Sequence, residues 1–219
     1  MTEIKELFDL DKTIAAELFE GKTYPWEVLS DIGDFIKKLG PMLSAEEFDH
    51  PSEEVWIAKD ARVFPTAYIG APCIIDHGAE VRHCAFVREN AIVGKNAVVG
   101  NSTELKNVVL FDEVQVPHYN YVGDSVLGYK SHMGAGSVTS NVKSDKLPVV
   151  IHNQGENIET GRKKIGAMLG DRVEVGCNSV LNPGTVIGRD SNVYPTSCVR
   201  GAVPENSIYK GAGCIVTKR

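Results

Sequence analysis

A small or branched apolar residue returns every six positions along the middle of this chain. The row runs Ile57, Val63, Ile69, Ile75, Val81, Val87, Val93, Val99, Leu105. Four places after each stands a second small residue, among them Ala61, Cys73, Ala79, Ala85, Ala91, Ala97 and Thr103. An α-helix repeats near 3.6 residues and a flat strand near 2, so neither sustains a period of six. A chain that turns a corner after each short strand does, which predicts a parallel β-helix of hexapeptide repeats. The phase slips by one residue to give Leu110, Val116 and Val122, then again to give Leu127 and Met133. It vanishes over about 139–164 and resumes at Leu169, Val175, Leu181, Ile187, Val193 and Val199. About 20 hexads at three per turn make six to seven turns and a prism roughly 30 Å tall.

Residues 55–219 therefore read as a mainly β repeat domain with a loop insertion at about 139–164. The two inward rows predict a continuous dry core. Few aromatics are present, which suits an interior too narrow for them. Glycine follows many inward residues (Gly94, Gly100 and Gly134 among them), where it is expected to ease turning. Residues 1–54 read as a short helical segment. Apolar residues at helical spacing predict helices over Leu10–Phe19, with Asp11 as N-cap, and over Trp26–Leu39, stopped by Gly40-Pro41. Such short helices need a surface to pack on. A prism exposes apolar rows at its ends, so this segment is expected to cap one end.

Charge is unevenly spread. Residues 1–54 hold 14 acids against 5 lysines, and residues 55–219 hold 15 acids against 18 basic residues. The repeat part is too weakly basic for a nucleic-acid surface but suits a small anionic ligand. No apolar run approaches a membrane span, and the acidic start lacks the pattern of a signal peptide, so a cytoplasmic location is expected. The five cysteines are odd in number and form no CxxC. Reduced thiols are expected, with Cys73 filling a small inward slot. Six histidines occur. His77 and His83 lie one hexad apart, hence on adjacent faces, and no wide His spacing followed by a close His pair suggests zinc. No metal is expected.

One spaced set stands out. Arg88 is followed after sixteen residues by Glu104-Leu-Lys106, then by His118, Tyr121 and Gly123-Asp124. Downstream come Gly134-Ala135-Gly136 and Asn141, and then Thr160 to Asp171. This series resembles the acetyltransferase domain of the bifunctional glucosamine-1-phosphate acetyltransferase/N-acetylglucosamine-1-phosphate uridyltransferase family. Lys12-Thr13-Ile14 and Tyr24–Leu29 are similar to linker helices of its archaeal-type members. The resemblance covers most of the chain and implies a left-handed β-helix, a homotrimer, acetyl-CoA as acyl donor and an aminosugar phosphate as acceptor.

On that resemblance His118 is the general base, which its near-neutral pKa suits. Backbone N–H groups near Ala135 would stabilise the thioester oxyanion. Arg88, Lys106 and Lys146 would hold the phosphate, with Glu104, Tyr121, His132 and Asn141 around the sugar. Ala135, Cys177, Tyr194 and Pro195 would line the coenzyme A groove. The insertion would reach a neighbouring subunit. His132 replaces a sugar-binding Asn of the family pattern, Val142 replaces a Tyr, and Lys146 matches the loop lysine only approximately, so galactosamine-1-phosphate is as open as glucosamine-1-phosphate. Residues 1–54 contain no Gly-rich nucleotide loop, so no uridyltransferase activity is expected from them. Taken singly, Arg88, Lys106 and Lys146 read as surface charges, Tyr121 as outer packing, and Glu104 as a partner for Lys106. The rival reading is a non-catalytic ligand-binding or assembly module, and third comes a zinc hydratase.

Overall fold

The computed structural model describes residues 2–153 and 155–218. The repeats form a left-handed parallel β-helix of triangular section. Its first face begins with Val55–Ala58, Cys73–Ile75 and Ala91–Val93. Its second begins with Arg62–Val63, Glu80–Val81 and Val98–Asn101, and its third with Tyr68–Ile69 and Phe86–Val87. Early rungs pair eighteen residues apart, as Cys73 with Ala91 and Glu80 with Val98. Among the described residues eight strands stack on each of the first two faces. The six to seven turns expected undercount, because the inward row continues through Val203 and Tyr209, both buried.

From Ile75 to Leu105 the inward apolar row is fully buried, and Cys73, Ala79, Ala91 and Ala97 fill the small slots beside it. Burial pushes the Cys73 thiol up to about 12, so it behaves as an apolar filler. Tyr209 is the aromatic exception in this row. It enters the last coil with its hydroxyl donating to the Cys198 carbonyl at 2.9 Å.

The glycines that follow the inward row do not make the turns. A Cβ on Gly94 would stand 2.6 Å from the Phe111 carbonyl carbon, and one on Gly134 would stand 2.7 Å from the Cys177 nitrogen. They are sites of close approach between coils, with ordinary φ. Turning falls to residues in the left-handed region: Asn90, Asn96, Ser102, Asn107, Glu113, Tyr119, Asp124 and Lys130 succeed one another at five- to six-residue intervals with φ between 47° and 58°. Asn and Asp tolerate that region best.

Both phase slips fall at one corner. Val108 pairs with Ala91 and Ser125 with Val108, seventeen residues apart. The bends sit at Asn107 and Asp124, inside the long strands Glu104–Leu110 and Tyr121–Leu127 that run from the third face onto the first. The insertion occupies the same corner one turn later, and the ladder steps from Val126 to Met168 across it. It has structure of its own. Val150–Asn153 and Glu156–Glu159 form an antiparallel hairpin, with Val149 and Ile151 fully buried.

The N-terminal segment covers a face, not an end. On the first face the outward residues Ile74, Ile92, Val109, Val126, Met168 and Val186 are themselves apolar and wholly buried. The helix Ile32–Leu39 lies against this side of the prism. Phe8 and Phe19 pack on Phe111 at the adjoining corner, with ring centres 5.1 and 5.6 Å away. Each large apolar side chain buried this way contributes ~1.5–3 kcal/mol. The expected helix over Leu10–Phe19 is two short 3₁₀ turns, Leu10–Lys12 and Ala16–Phe19, and its N-cap is Asp9, which accepts from the Asp11 N–H. Trp26–Leu39 is likewise divided, into a 3₁₀ stretch Pro25–Ser30 and the α-helix Ile32–Leu39. Antiparallel strands edge both ends of the ladder: Phe48–Ser52 beside Val55–Ala58, and Cys214–Thr217 beside Ser207–Gly211.

Asp76 lies at the corner between the first and second faces, fully buried. Its Oδ1 accepts the His77 N–H while its Oδ2 has no partner among the described residues. Burial raises its pKa from 3.8, offset in part by Lys95 and His77. A raised folded-state pKa means that stability falls as pH rises through and above the ordinary carboxylate range. Asp76→Asn removes that loss. Denaturant unfolding should show the variant more stable than wild type at pH 7, with the gap closing below pH 3.8.

Candidate active site

Sequence positions eighteen or seventeen apart become vertical neighbours in this prism, and that is what assembles the site. Arg88 and Lys106 each follow the last inward residue of the third face on successive coils, with the Arg88 N–H bonded to the Leu105 carbonyl. Glu104 and Tyr121 are paired rungs, directly below Phe86. Arg88 Nη1 donates to Glu104 Oε1 at 3.1 Å and Arg88 Nε lies 3.7 Å from Glu89. Glu104 is thus the partner of Arg88, not of Lys106. The carboxylate holds the Arg88 guanidinium above its usual pKa.

Lys106 pairs instead with Asp124, 3.3 and 3.4 Å from its two oxygens. Asn141, where the insertion begins, donates from Nδ2 to the Tyr121 hydroxyl at 3.2 Å and to Asp124 Oδ2 at 2.5 Å. Arg88, Glu104, Lys106, Tyr121 and Asn141 therefore meet at one edge. Asp124 and Asn107 join them. The signal for Asp124 was its place in the Gly123-Asp124 pair of the motif; Asn107 carried none beyond the phase slip beside it.

His118 ends the strand Gln115–His118 at the next edge, between the second and third faces. Its imidazole is exposed and has no hydrogen-bond partner among the described residues. Tyr121 is three chain positions on, which keeps the two backbones within ~11 Å. Below it, backbone bonds run down the edge from the His118 carbonyl to the Gly136 N–H, from Ala135 to Asn178 and from Cys177 to Thr196. His118, Ala135, Cys177 and Pro195 thus line a single edge over four coils, a run of ~14 Å. The Ala135 N–H is half-buried and has no hydrogen-bond acceptor among the described residues. Cys177, Tyr194 and Pro195 are exposed, and Lys210 stands over the Tyr194 ring at 5.8 Å.

Two expected residues stand elsewhere within the chain. His132 lies on the second face, where its Nδ1 is 2.8 Å from Glu174 Oε2. Lys146 sits in the exposed tip of the insertion, 144–148. The remainder of the insertion turns back onto its own prism. Arg162 donates to the Glu27 carbonyl and the Ser30 hydroxyl, and Val142 bridges Lys164. Between the tip and the later coils lies a cleft of about 340 Å³, bordered by Ser140, Lys143, Asn182 and Arg200. His77 bonds Asp60 and His83 bonds Thr66, each at 2.9 Å. Among the described residues no three His, Cys, Asp or Glu side chains converge as a metal centre, and no helix is long and apolar enough to cross a membrane.

Tyr121 reports on this electrostatic setting. Burial raises its hydroxyl above the ordinary 10.0, and the Asp124 and Glu104 carboxylates add to the rise. In a phenolate absorbance titration, the component lost in Tyr121→Phe should ionise above pH 10.0. Ionisation at or below that value would place the ring in open solvent.

Comparison with known proteins gives the chain a lineage. It is 32% identical over 222 residues to the bifunctional protein GlmU of Methanococcus maripaludis, an alignment covering 99% of this chain and 54% of that protein. It is 35% identical over 109 residues to the bifunctional sugar-1-phosphate nucleotidylyltransferase/acetyltransferase of Sulfurisphaera tokodaii, covering 50% of this chain and 27% of that one. The chain thus spans about half the length, or less, of these curated relatives. Among solved structures, a perosamine N-acetyltransferase mutant from Caulobacter crescentus, in complex with CoA and GDP-perosamine, aligns with a TM-score of 0.38 and 16% identity. That match covers 74% of this chain and 56% of the other. The family model described as the GMPPB C-terminal domain matches residues 69–208, and the chain belongs to that family.

Proposed function

We propose that the chain is an acyl-CoA-dependent N-acyltransferase, most directly an acetyltransferase, acting on a phosphorylated aminosugar such as glucosamine-1-phosphate or galactosamine-1-phosphate. The observation that carries this reading is the meeting of Arg88, Glu104, Lys106, Tyr121 and Asn141 at one edge, across a single narrow face from His118. The Sulfurisphaera tokodaii relative, a sugar-1-phosphate nucleotidylyltransferase/acetyltransferase, supports it.

Each group has work suited to its chemistry. The guanidinium of Arg88 and the ammonium of Lys106 hold the phosphate. Glu104 and Tyr121 offer an acceptor and a donor to sugar hydroxyls. The amine attacks the thioester carbonyl carbon, forming the N–C bond while His118 takes the amine proton. The Ala135 N–H faces the developing oxyanion. The C–S bond then breaks, and the thiolate leaves with the proton returned by His118. Coenzyme A would run down the edge past Cys177, Tyr194 and Pro195. Cys177 needs no covalent role in direct transfer.

Acetyl transfer should be measured with both aminosugar phosphates. His118→Ala is expected to lower kcat by about 10²–10⁴, and Arg88→Ala to raise KM for the sugar phosphate while leaving KM for acetyl-CoA unchanged. Wild-type protein that transfers acetyl to no aminosugar phosphate would overturn the reading. The position of His132, away from the cluster and engaged with Glu174, favours the second reading, a ligand-binding module without turnover. Coenzyme A binding without catalysis would establish that one.

The active unit is a homotrimer in this proposal, with the insertion tip and Lys146 of one copy completing the site of the next. The third face leaves Tyr68, Phe86 and Val180 exposed as apolar surface. Light scattering should give three times the chain mass. A monomer that retained full activity would sink the shared site.

A further inference from the structure

Asp124 is a carboxylate in an unusual place. It occupies a left-handed corner with φ 47°, is 4% exposed, and marks the second of the two seventeen-residue turns. All the side chains bonded to it are donors. Lys106 Nζ approaches both oxygens at 3.3 and 3.4 Å, Asn107 Nδ2 donates to Oδ1 at 3.0 Å and Asn141 Nδ2 to Oδ2 at 2.5 Å. Asn107 Nδ2 also donates to the Leu29 carbonyl, and the Asp124 carbonyl accepts the Gly166 N–H at 2.8 Å. One residue thus gathers an earlier coil, both feet of the insertion and, through Asn107, the N-terminal segment.

This geometry asks for a carboxylate and nothing else. An amide at 124 would turn its own N–H₂ toward one of the donors and leave a buried donor unpaired. It would also strand Lys106, whose side chain is 18% exposed, without its counter-charge. The corner itself would accept Asn, as the neighbouring Asn90 and Asn107 show. Backbone conformation therefore does not explain the choice of Asp.

We propose that Asp124 is the positioning residue of the acceptor site, fixing the Lys106 ammonium and the Asn141 amide in the places from which they meet the substrate. The proposal rests on the acyltransferase reading for its substrate. With Asp124 present, each cation of the site carries its own carboxylate, Arg88 with Glu104 and Lys106 with Asp124. The edge then selects by the placement of charges and not by excess positive charge. Such a site discriminates an aminosugar phosphate from a bare phosphate ion.

The test is Asp124→Asn in the full chain, alone and in a Lys106→Met/Asn141→Ala background. Alone, it should raise KM for the aminosugar phosphate about tenfold, leave KM for acetyl-CoA within about twofold, and leave inhibition by inorganic phosphate as strong or stronger. In the double background the same change should add less than about twofold, because Asp124 acts through those two side chains. Hydrogen exchange without substrates should quicken over 141–148 in Asp124→Asn. A loss of thermal stability with both KM values unchanged would make Asp124 merely structural and overturn the proposal, as would a full additive effect in the double background. Should wild type show no turnover, the acyltransferase reading alone fails. Asp124 is then judged by the exchange of 141–148, and an unaltered rate in Asp124→Asn refutes it.

Discussion

The whole molecule depends on backbone hydrogen bonds between coils that recur at nearly constant sequence distance. Most strands are only two to four residues long and would be worthless alone. Stacked in register, the strands satisfy one another's N–H and C=O groups and leave a narrow interior filled mainly by small and branched side chains. The same register gives the outside its order. A residue chosen at one height fixes what stands above and below it, so Arg88, Glu104, Lys106 and Tyr121 come together without any contact local in sequence.

The prism is three-sided in section but not in character. Its first face is apolar on the outside as well as the inside, and the N-terminal segment and the insertion share the task of covering it. The edge where the third face meets the first carries both shortened turns, the insertion and the cationic cluster. The edge between second and third faces is regular and lines up His118 with the groove residues beneath it. Irregularity and proposed substrate recognition coincide; regularity and the proposed coenzyme track coincide.

Much of this was legible in the chain. The six-residue period gave the coils, the inward rows and the place of the insertion, and the spaced polar set gave most members of the cluster. The cover over the first face was missed because its signal has a period of eighteen, not six: Ile74, Ile92, Val109 and their successors look like scattered apolar residues until the turn length is known. The helix expected at Leu10–Phe19 failed because Thr13 and Asp9 bond their own neighbouring backbone, Ala15 and Asp11, and break the run into short turns. The glycines misled for a simpler reason. Their lack of a side chain serves the approach of the next coil, while the bends belong to Asn, Asp and other residues at positive φ. Asp124 and Asn107 were overlooked as site members because what they bind is other protein side chains, and such service leaves no chemical signature of its own.

The insertion leaves the prism after Thr139 and returns at Ile165, yet Val126 and Met168 meet as though nothing lay between them. The excursion is therefore a detour hung on a closed seam. Its length and composition are free of the rule that governs the coils, and a chain severed at Leu147 would remain one object, its halves sutured by the ladder and by the bonds of Arg162 and Asp171 to the N-terminal segment. A lineage can rewrite what that detour touches without disturbing a single rung.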